Sequence, residues 1–537
     1  MGQGSVLSPG REGQHDERRG AARVDGVRRQ AVTTPERDAD VIVIGSGIAG
    51  LTAGALLAET GRRVLLCEQS QGLGGYAHAF QRGDRGQYTF DPAVHLLADQ
   101  QLFGGVLEHL GVRDRCTFIP SEHFYRAILP DYEIDLPADR AGFLEAHVQA
   151  FPHEADGIRG FWKMCQTVHR EAHDMPPALH LRDLDAAVAA APNLFRYRRA
   201  TVAEVLDEYL DDPRAKSVCA VPWQYLGVPP SQAAFQTFAQ LTTVHTDDLF
   251  AVEGGVERII DALADAITSR GGTILTGTLV EGIMVEDGRA LGVTLADGQE
   301  LRADWVLSGA DPFQTFERLV PADQVPARYQ RKLSRMRVSG SAFLLFAAST
   351  LDLSGWDLPH QIFSHASWDH EESYRLTLAG EFGVTWITPT SLLDPSVAPP
   401  GEHVVVCKAI TPYDVGTPWP EIKDRCTQKL LGEIDAVLPG FTDELTFVES
   451  ATPLTVERFS LNRRGAIHSW EQTPAHTESK RPTPQTPVDN LLLCNQWTSI
   501  GGSFLRSFFA GIMTAQIVLD RSGAPDQLPD FRAVPQA

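Results

Sequence analysis

The sequence has no Cys-x-x-Cys pair, and its seven cysteines (Cys67, Cys116, Cys165, Cys219, Cys407, Cys426 and Cys494) are odd in number. That spacing argues against a disulfide framework, so reduced thiols in a cytoplasmic protein are the expectation. Positive charge is in deficit: 47 Lys and Arg against 69 Asp and Glu leave a formal net charge of −22. Such a balance excludes nucleic acid or a strongly anionic membrane as the main partner, while leaving room for a local apolar, peripheral contact with lipid. Uninterrupted runs of membrane length are missing too. Residues 41–58 are uncharged, but four glycines break them and Glu59, Arg62 and Arg63 follow, so a span is rejected. The paired arginines at 18–19 and 28–29 lead into no apolar stretch or cleavage site, and Val6 stands where myristoylation needs Ser or Thr. Residues 1–38, rich in Arg, Gly, Gln and Asp with almost no apolar pattern, are expected to be a disordered tail.

What is present points to an α/β enzyme. Its 537 residues suffice for two or three domains with large cores, and 43% hydrophobic residues with 46 glycines suit that class. The most informative stretch is VIVIGSGIAGLTAGALLAETGRRVLLCE, Val41 to Glu68, which reads as strand, glycine turn, helix, strand and terminal acid. Gly45 permits the tight turn, Gly47 lets a pyrophosphate approach the backbone, and Gly50 lets the helix pack closely on the sheet. Ile48 and Ala49 open that helix, whose N-terminus faces the phosphates. Glu68 ends the second strand, Val64–Cys67, where its carboxylate can accept hydrogen bonds from an adenosine ribose, and Gln69 follows it. A second glycine turn comes soon after, with Gly72, Gly74 and Gly75 in QGLGGYAHAF. No other G-x-G-x-x-G appears, so nothing suggests a separate built-in NAD(P) domain.

Two further blocks belong with the first. FAVEGGVERIIDALADAITSRGG (250–272) reads as a glycine turn and an amphipathic helix with Ile259, Leu263 and Ile267 on one face. Strands follow, joined at Asp287-Gly288 and Asp297-Gly298, strong hairpin signals. Near the end, NLLLCNQWTSIGGSFLRSFFAGIMTAQIVLD (490–520) reads as a buried strand, Leu491–Cys494, a turn at Gly501, Gly502 and Ser503, and a helix. The positive end of that helix can stabilise negative charge on a bound group.

On these pieces, together with FDPAVHLL, GADP and TPLTVERF, the chain resembles the phytoene desaturase, carotenoid isomerase and retinol saturase group of FAD oxidoreductases. The resemblance implies a Rossmann-type FAD-binding domain like that of glutathione reductase and amine oxidases, with a discontinuous mixed α+β substrate domain. Residues 39–100, 250–315 and 488–525 would form the first, and 101–249 with 316–487 the second. It also implies non-covalent FAD, an adenine contact at Val280, and NAD(P)H as an external reductant in the saturating direction. Tyr76 stands where amine oxidases usually have Arg, and Pro92-Ala93 replaces a glycine common after the Phe-Asp pair.

The expected substrate is a lipophilic conjugated polyene, carotenoid- or retinoid-like, undergoing desaturation, saturation or isomerisation. The alternative is a reductase or reductive cyclase of a polyene intermediate in bacterial polyketide biosynthesis, and a flavin amine oxidase is more distant. Flavin chemistry needs a proton partner beside it. His95 is the first candidate, because imidazole titrates near neutral pH, with Glu253 and His78 after it. Each also has the plain reading of a satisfied structural side chain. The aromatic residues of the substrate segments are read mostly as core, collectively able to line an apolar cleft. His360, His365 and His370, five residues apart, suit neither a helix face nor one side of a strand. No metal site is expected from them, and solvent or loop roles are. Residues 471–490 read as a Pro/Thr-rich connecting loop.

Overall fold

The computed structural model describes residues 37–93, 95–175, 183–477 and 480–531. The expected disordered tail, 1–38, lies outside the described residues except for its last two. Val41–Ile44 is a strand buried along its whole length. It pairs in parallel with Val64–Cys67 on one side and Trp305–Ser308 on the other. Thr273–Leu275 and Leu491–Leu493 extend this five-stranded parallel sheet at its two edges. Cys494 falls just past the last strand, its N–H donating to Ser308 O at 2.8 Å.

The helix Ile48–Glu59 buries eleven of its twelve residues, which explains the uncharged run of the sequence. It packs on the sheet and against two further helices, Glu257–Ser269 and Phe504–Arg521. An ideal Cβ on Gly54 would lie 3.1 Å from Ile267, and one on Gly511 would lie 2.5 Å from Ala49 O. A helix enclosed by protein reads like one enclosed by lipid. Among the described residues no helix is long and apolar enough to cross a membrane. Glu257–Ser269 buries Ile259, Leu263 and Ile267, and the three antiparallel strands Val280–Glu286, Arg289–Leu295 and Glu300–Arg302 turn at the two Asp-Gly pairs.

The second sheet has seven strands, in the order 445–451, 341–349, 403–411, 384–388, 362–365, 123–129 and 132–137. Ser341–Ser349 and His403–Thr411 each run two residues beyond their apolar cores. Their ends pair with each other, Ser341 with Thr411 and Ser349 with His403. On one face Phe343, Leu345, Val405 and Cys407 pack against the helix Trp419–Val437. On the other, Leu344, Phe346, Val404 and Val406 meet Tyr88 and Phe90. A helical layer including Ala155–Asp174 and Phe235–His245 holds Phe161, Trp162, Phe235 and Phe238 in a common core with Tyr125 and Phe363.

One expectation is corrected. His360, His365 and His370 are buried, 7%, 4% and 5% exposed, and have no solvent role. His365 ends the strand Ile362–His365 and His370 opens the helix His370–Leu378, so tertiary pairing encloses both. His370 Nε2 lies 2.8 Å from Ser217 O, and His365 Nε2 lies 2.7 Å from Gln224 Nε2. No cluster of three or more metal-ligating side chains occurs among the described residues.

Candidate functional site

Three loops are knitted together at the C-terminal end of Val41–Ile44, the crevice where open α/β sheets take ligands. Gly45 N–H donates to Cys67 O at 2.8 Å, Gly309 N–H to Ile44 O at 2.7 Å, and Gly74 N–H to Ser46 O at 3.1 Å. A Cβ on Gly50 would stand 2.5 Å from Gly45 O, so helix and turn approach as only glycine allows. Gly47 is different: a Cβ there would meet nothing within 4 Å, and Gly75 packs against its Cα from the side. Gly47 caps the helix Ile48–Glu59 without any side-chain capping bond, and the first turn holds no acid. The leading amides, around Ile48 and Ala49, are therefore left to an anion.

Glu68 is buried behind this turn. Its Oε2 accepts from Ser46 N–H at 2.8 Å and from Ser46 Oγ at 2.6 Å, and its Oε1 accepts from Ser70 N–H at 2.8 Å. A carboxylate has about four acceptor positions, so Oε1 keeps one for a ribose hydroxyl. Thr278 N–H donates to Glu68 O at 2.7 Å, which brings Val280, the buried first residue of its strand, to the same edge. Gln69 turns away, its Nε2 reaching Phe459 O at 3.2 Å. An uncapped helix end, a backbone surface that a Cβ would fill, and an acid with spare acceptor capacity fit FAD.

The C-terminal turn is held from behind. Arg481, 1% exposed, donates to Gly501 O at 2.9 Å, to His476 O at 2.6 Å and to Gln472 Oε1 at 2.7 Å. Gly502, at φ +127°, passes close to the Arg481 guanidinium and the Gln472 amide. Ser503 then caps Phe504–Arg521, its Oγ accepting from Arg506 N–H at 3.2 Å. Tyr76 Oη donates to Ala466 O at 3.0 Å, and burial pushes its phenol up to about 12.

The candidate proton partners separate. Both ring nitrogens of His95 are buried without a hydrogen bond from any described residue. Burial, with the charges of Lys408 and His360, holds His95 well below the usual imidazole range, so it is neutral. His78 lies beneath Gly72, with Nδ1 3.6 Å from Glu257 Oε1. Glu253 is exposed and contributes a backbone bond to Thr117 O at 3.0 Å. The carboxylate that meets His78 is thus Glu257, four residues on, and burial pushes it up to about 7.

Several residues here were not anticipated. Asp91 Oδ2 lies 3.4 Å from Val256 N–H, and a Cβ on Gly255 would approach that oxygen to 2.9 Å. Burial pushes Asp91 up to about 7. Lys408 and His360 adjoin His95. A lysine inside the apolar run of VVVCKAIT was the available signal for Lys408.

The raised Asp91 value has a thermodynamic consequence. The folded protein holds this proton more tightly than the unfolded chain, so the contribution to stability is complete below about 4 and is lost as pH rises through about 7. Asp91→Asn should gain on the wild type in urea midpoint from pH 5 to pH 8. A gap that does not change with pH would mean that Asp91 is ionised throughout.

Comparison with known proteins agrees with this geometry. The family described as flavin-containing amine oxidoreductase matches residues 48–519. Prolycopene isomerase 1 of an Oncidium hybrid cultivar is 25% identical over 91% of this chain and 85% of its own. All-trans-retinol 13,14-reductase of Danio rerio is 24% identical over 92% and 88%. The lycopene-forming phytoene desaturase of Pseudescherichia vulneris is 25% identical over 89% and 99%. Among solved structures, cyclohexylamine oxidase from Brevibacterium oxydans IH-35A shares the fold, with a TM-score of 0.60 at 15% identity over 90% of this chain and 100% of that one.

Proposed function

The chain belongs to the flavin-containing amine oxidoreductase family, and from that premise we propose that it transforms a carbon–carbon bond of a lipophilic conjugated polyene. When bound, FAD, held without a covalent link, would supply hydride exchange at N5. The observation that carries the substrate class is the wall beside His95. Tyr225 and Trp386 are part-buried and pack ring to ring on the fully buried Phe363 and Tyr125, with centroids 5.0–5.5 Å apart, and Trp386 lies 4.1 Å from the Nζ of Lys408, whose charge reaches His95. A wall of this kind suits a substrate with few polar handles. The named activities of the carotenoid and retinoid relatives support the same reading.

The chain's own residues then have distinct tasks. The turn Gly45–Gly50 and Glu68 would bind the nucleotide, and the segment Gly501–Ser503, held by Arg481, would contribute to the same cofactor site. His95, neutral and without a partner, can take the proton at the carbon next to the one exchanging hydride, which suits the desaturating direction. The polyene must displace water along the aromatic wall, which protects the reacting carbons from solvent.

Anaerobic mixing tests the whole reading. Bleaching of the flavin absorbance by a polyene indicates the desaturating direction, and bleaching by NADPH followed by recolouring with a polyene indicates the saturating one. A flavin that responds to amines and to no polyene would overturn the proposal. For the proton partner, His95→Ala should keep a full complement of FAD while turnover falls roughly 100-fold, the usual scale for losing a general acid or base. Wild-type turnover in that variant removes His95 from the mechanism.

A further inference from the structure

Lys408 occupies a position that no structural task of the strand requires. It lies on His403–Thr411 between Cys407 and Ala409, which pack beneath the helix Trp419–Val437. Strand alternation therefore sends Lys408 to the opposite face, the one that carries Val404 and Val406. There its Nζ stands 4.1 Å from the centroid of the Trp386 ring and 3.3 Å from Ala93 O. No carboxylate of the described residues forms an ion pair with it. An ammonium group against an aromatic wall with one carbonyl for company is poorly compensated, and burial lowers it to about 7.

One neighbour adds a donor. His360 and His468 both feel the charge of Lys408, and burial holds each near 4, so both are neutral and carry one N–H; that of His360 goes to the backbone of His95, which leaves His468 the free donor. His360 Nδ1 and His468 Nε2 are buried with no hydrogen bond from the described residues. Asp394, an acid whose charge reaches His360, is already engaged: Oδ2 accepts from Gly254 N–H at 2.5 Å, and Oδ1 accepts from Ser396 N–H and Oγ. Lys408 and His468 thus keep donor capacity that no carboxylate of the described residues meets.

We propose that Lys408 and His468 receive the carboxylate of the substrate, which is then a conjugated polyene acid and not a hydrocarbon. This rests on the polyene reading above and narrows it. The carboxylate would pair with the ammonium and take an N–H bond from His468, while the chain runs along the part-buried Trp386. Because His95 feels the same lysine charge, the head is held close to the proton partner. The double bonds conjugated with the carboxylate are then the ones presented for reaction. The substrates in the relatives' names, lycopene isomers, phytoene and retinol, carry no carboxylate, so the inference separates this chain from them by substrate.

The test uses the flavin-loaded protein and two matched pairs of probes: all-trans-retinoic acid with all-trans-retinol, and palmitate with hexadecanol. Binding is read from quenching of tryptophan fluorescence and from shifts in the flavin spectrum. The wild type should bind each acid roughly 30-fold or more tightly than its alcohol, the scale of a charge-assisted hydrogen bond away from bulk water. In Lys408→Met the preference should fall to about threefold or less, with flavin content and alcohol affinity unchanged. Lys408→Arg should keep most of it, which guards against a merely misfolded variant. Equal binding of acid and alcohol by the wild type, or a preference that survives in Lys408→Met, overturns the carboxylate site. A preference dependent on Lys408 for palmitate, with no response to either retinoid, keeps the receptor and overturns the polyene reading instead. Binding of none of the four overturns the receptor itself.

Discussion

Glu68→Ala should purify colourless. The wild-type carboxylate satisfies two backbone amides and a hydroxyl, Ser46 N–H, Ser70 N–H and Ser46 Oγ, from a buried position. Alanine leaves Ser46 N–H, in a residue with no exposure, without an acceptor, at a cost of about 1–3 kcal/mol. It also removes the oxygen available to the ribose, and a lost hydrogen bond to a charged group is worth about 1.5–3 kcal/mol more. The first cost falls on stability, and the second should weaken FAD by roughly 10- to 150-fold. Fluorescence titration of the apoprotein with FAD measures this directly. Glu68→Gln should fall between, because its single carbonyl oxygen can serve Ser46 while its amide N–H₂ faces another donor at Ser70. A yellow Glu68→Ala protein with one flavin per chain would sink the assignment of the nucleotide turn.

The second large effect is steric. At Gly511 the Phe504–Arg521 helix crosses Ile48–Glu59 so closely that an added Cβ would lie 2.5 Å from Ala49 O, 2.7 Å from Thr52 Cβ and 3.2 Å from Ala53 N. These are mostly backbone atoms, and no rotamer change relieves them. Gly511→Ala should lose about 1–3 kcal/mol of stability, and Gly511→Leu should not accumulate as folded protein. Because Ala49 belongs to the turn facing the pyrophosphate, flavin affinity should fall along with stability in Gly511→Ala. Gly432 supplies the contrast: it lies within the helix Trp419–Val437, is exposed, and a Cβ there meets nothing within 4 Å. Gly432→Ala should gain up to about 1 kcal/mol, since only the helix-propensity term remains. Denaturant midpoints that move in the same direction for both alanine variants would contradict this account of the helix crossing.

These two predictions draw on what the sequence made legible and what it did not. The strands Val41–Ile44 and Val64–Cys67, the intervening glycines and both Asp-Gly turns are local features, readable from a few adjacent residues. The same holds for the buried face of Ile259, Leu263 and Ile267. The crossing at Gly511 is not local, because its reason for being glycine lies at Ala49. The three histidines at 360, 365 and 370 were read as solvent or loop residues because their spacing has no local periodicity. His365 is enclosed by the pairing of its strand with Arg126–Ile128 and Val384–Ile387, and His370 meets Ser217, 153 residues earlier in the chain. Arg481 sits inside a segment whose composition announces a loop, yet the turn at Gly501 closes over it. In the turn at 253–257, composition offers two acids of equal standing. Gly254 and Gly255, both at positive φ, turn the chain so that Glu253 faces solvent and Glu257 meets His78. Lys408 was visible as a cation in an apolar run, but which face of the sheet it takes depends on the helix that claims Cys407.

The order of strands in the parallel sheet also governs the birth of the protein. Val41–Ile44 is the central strand, yet Trp305–Ser308 beside it and the edge strand Leu491–Leu493 are made about 260 and 450 residues later. On the ribosome the uncharged stretch 41–58 is therefore exposed long before the helices that enclose it exist. To the cell's sorting machinery it offers the look of a membrane anchor, broken only by its glycines. Holdase chaperones have the same long interval in which to bind it. The glycines that shape the nucleotide turn in the finished enzyme thus also lower the apolar character of the nascent chain while it waits for its partners.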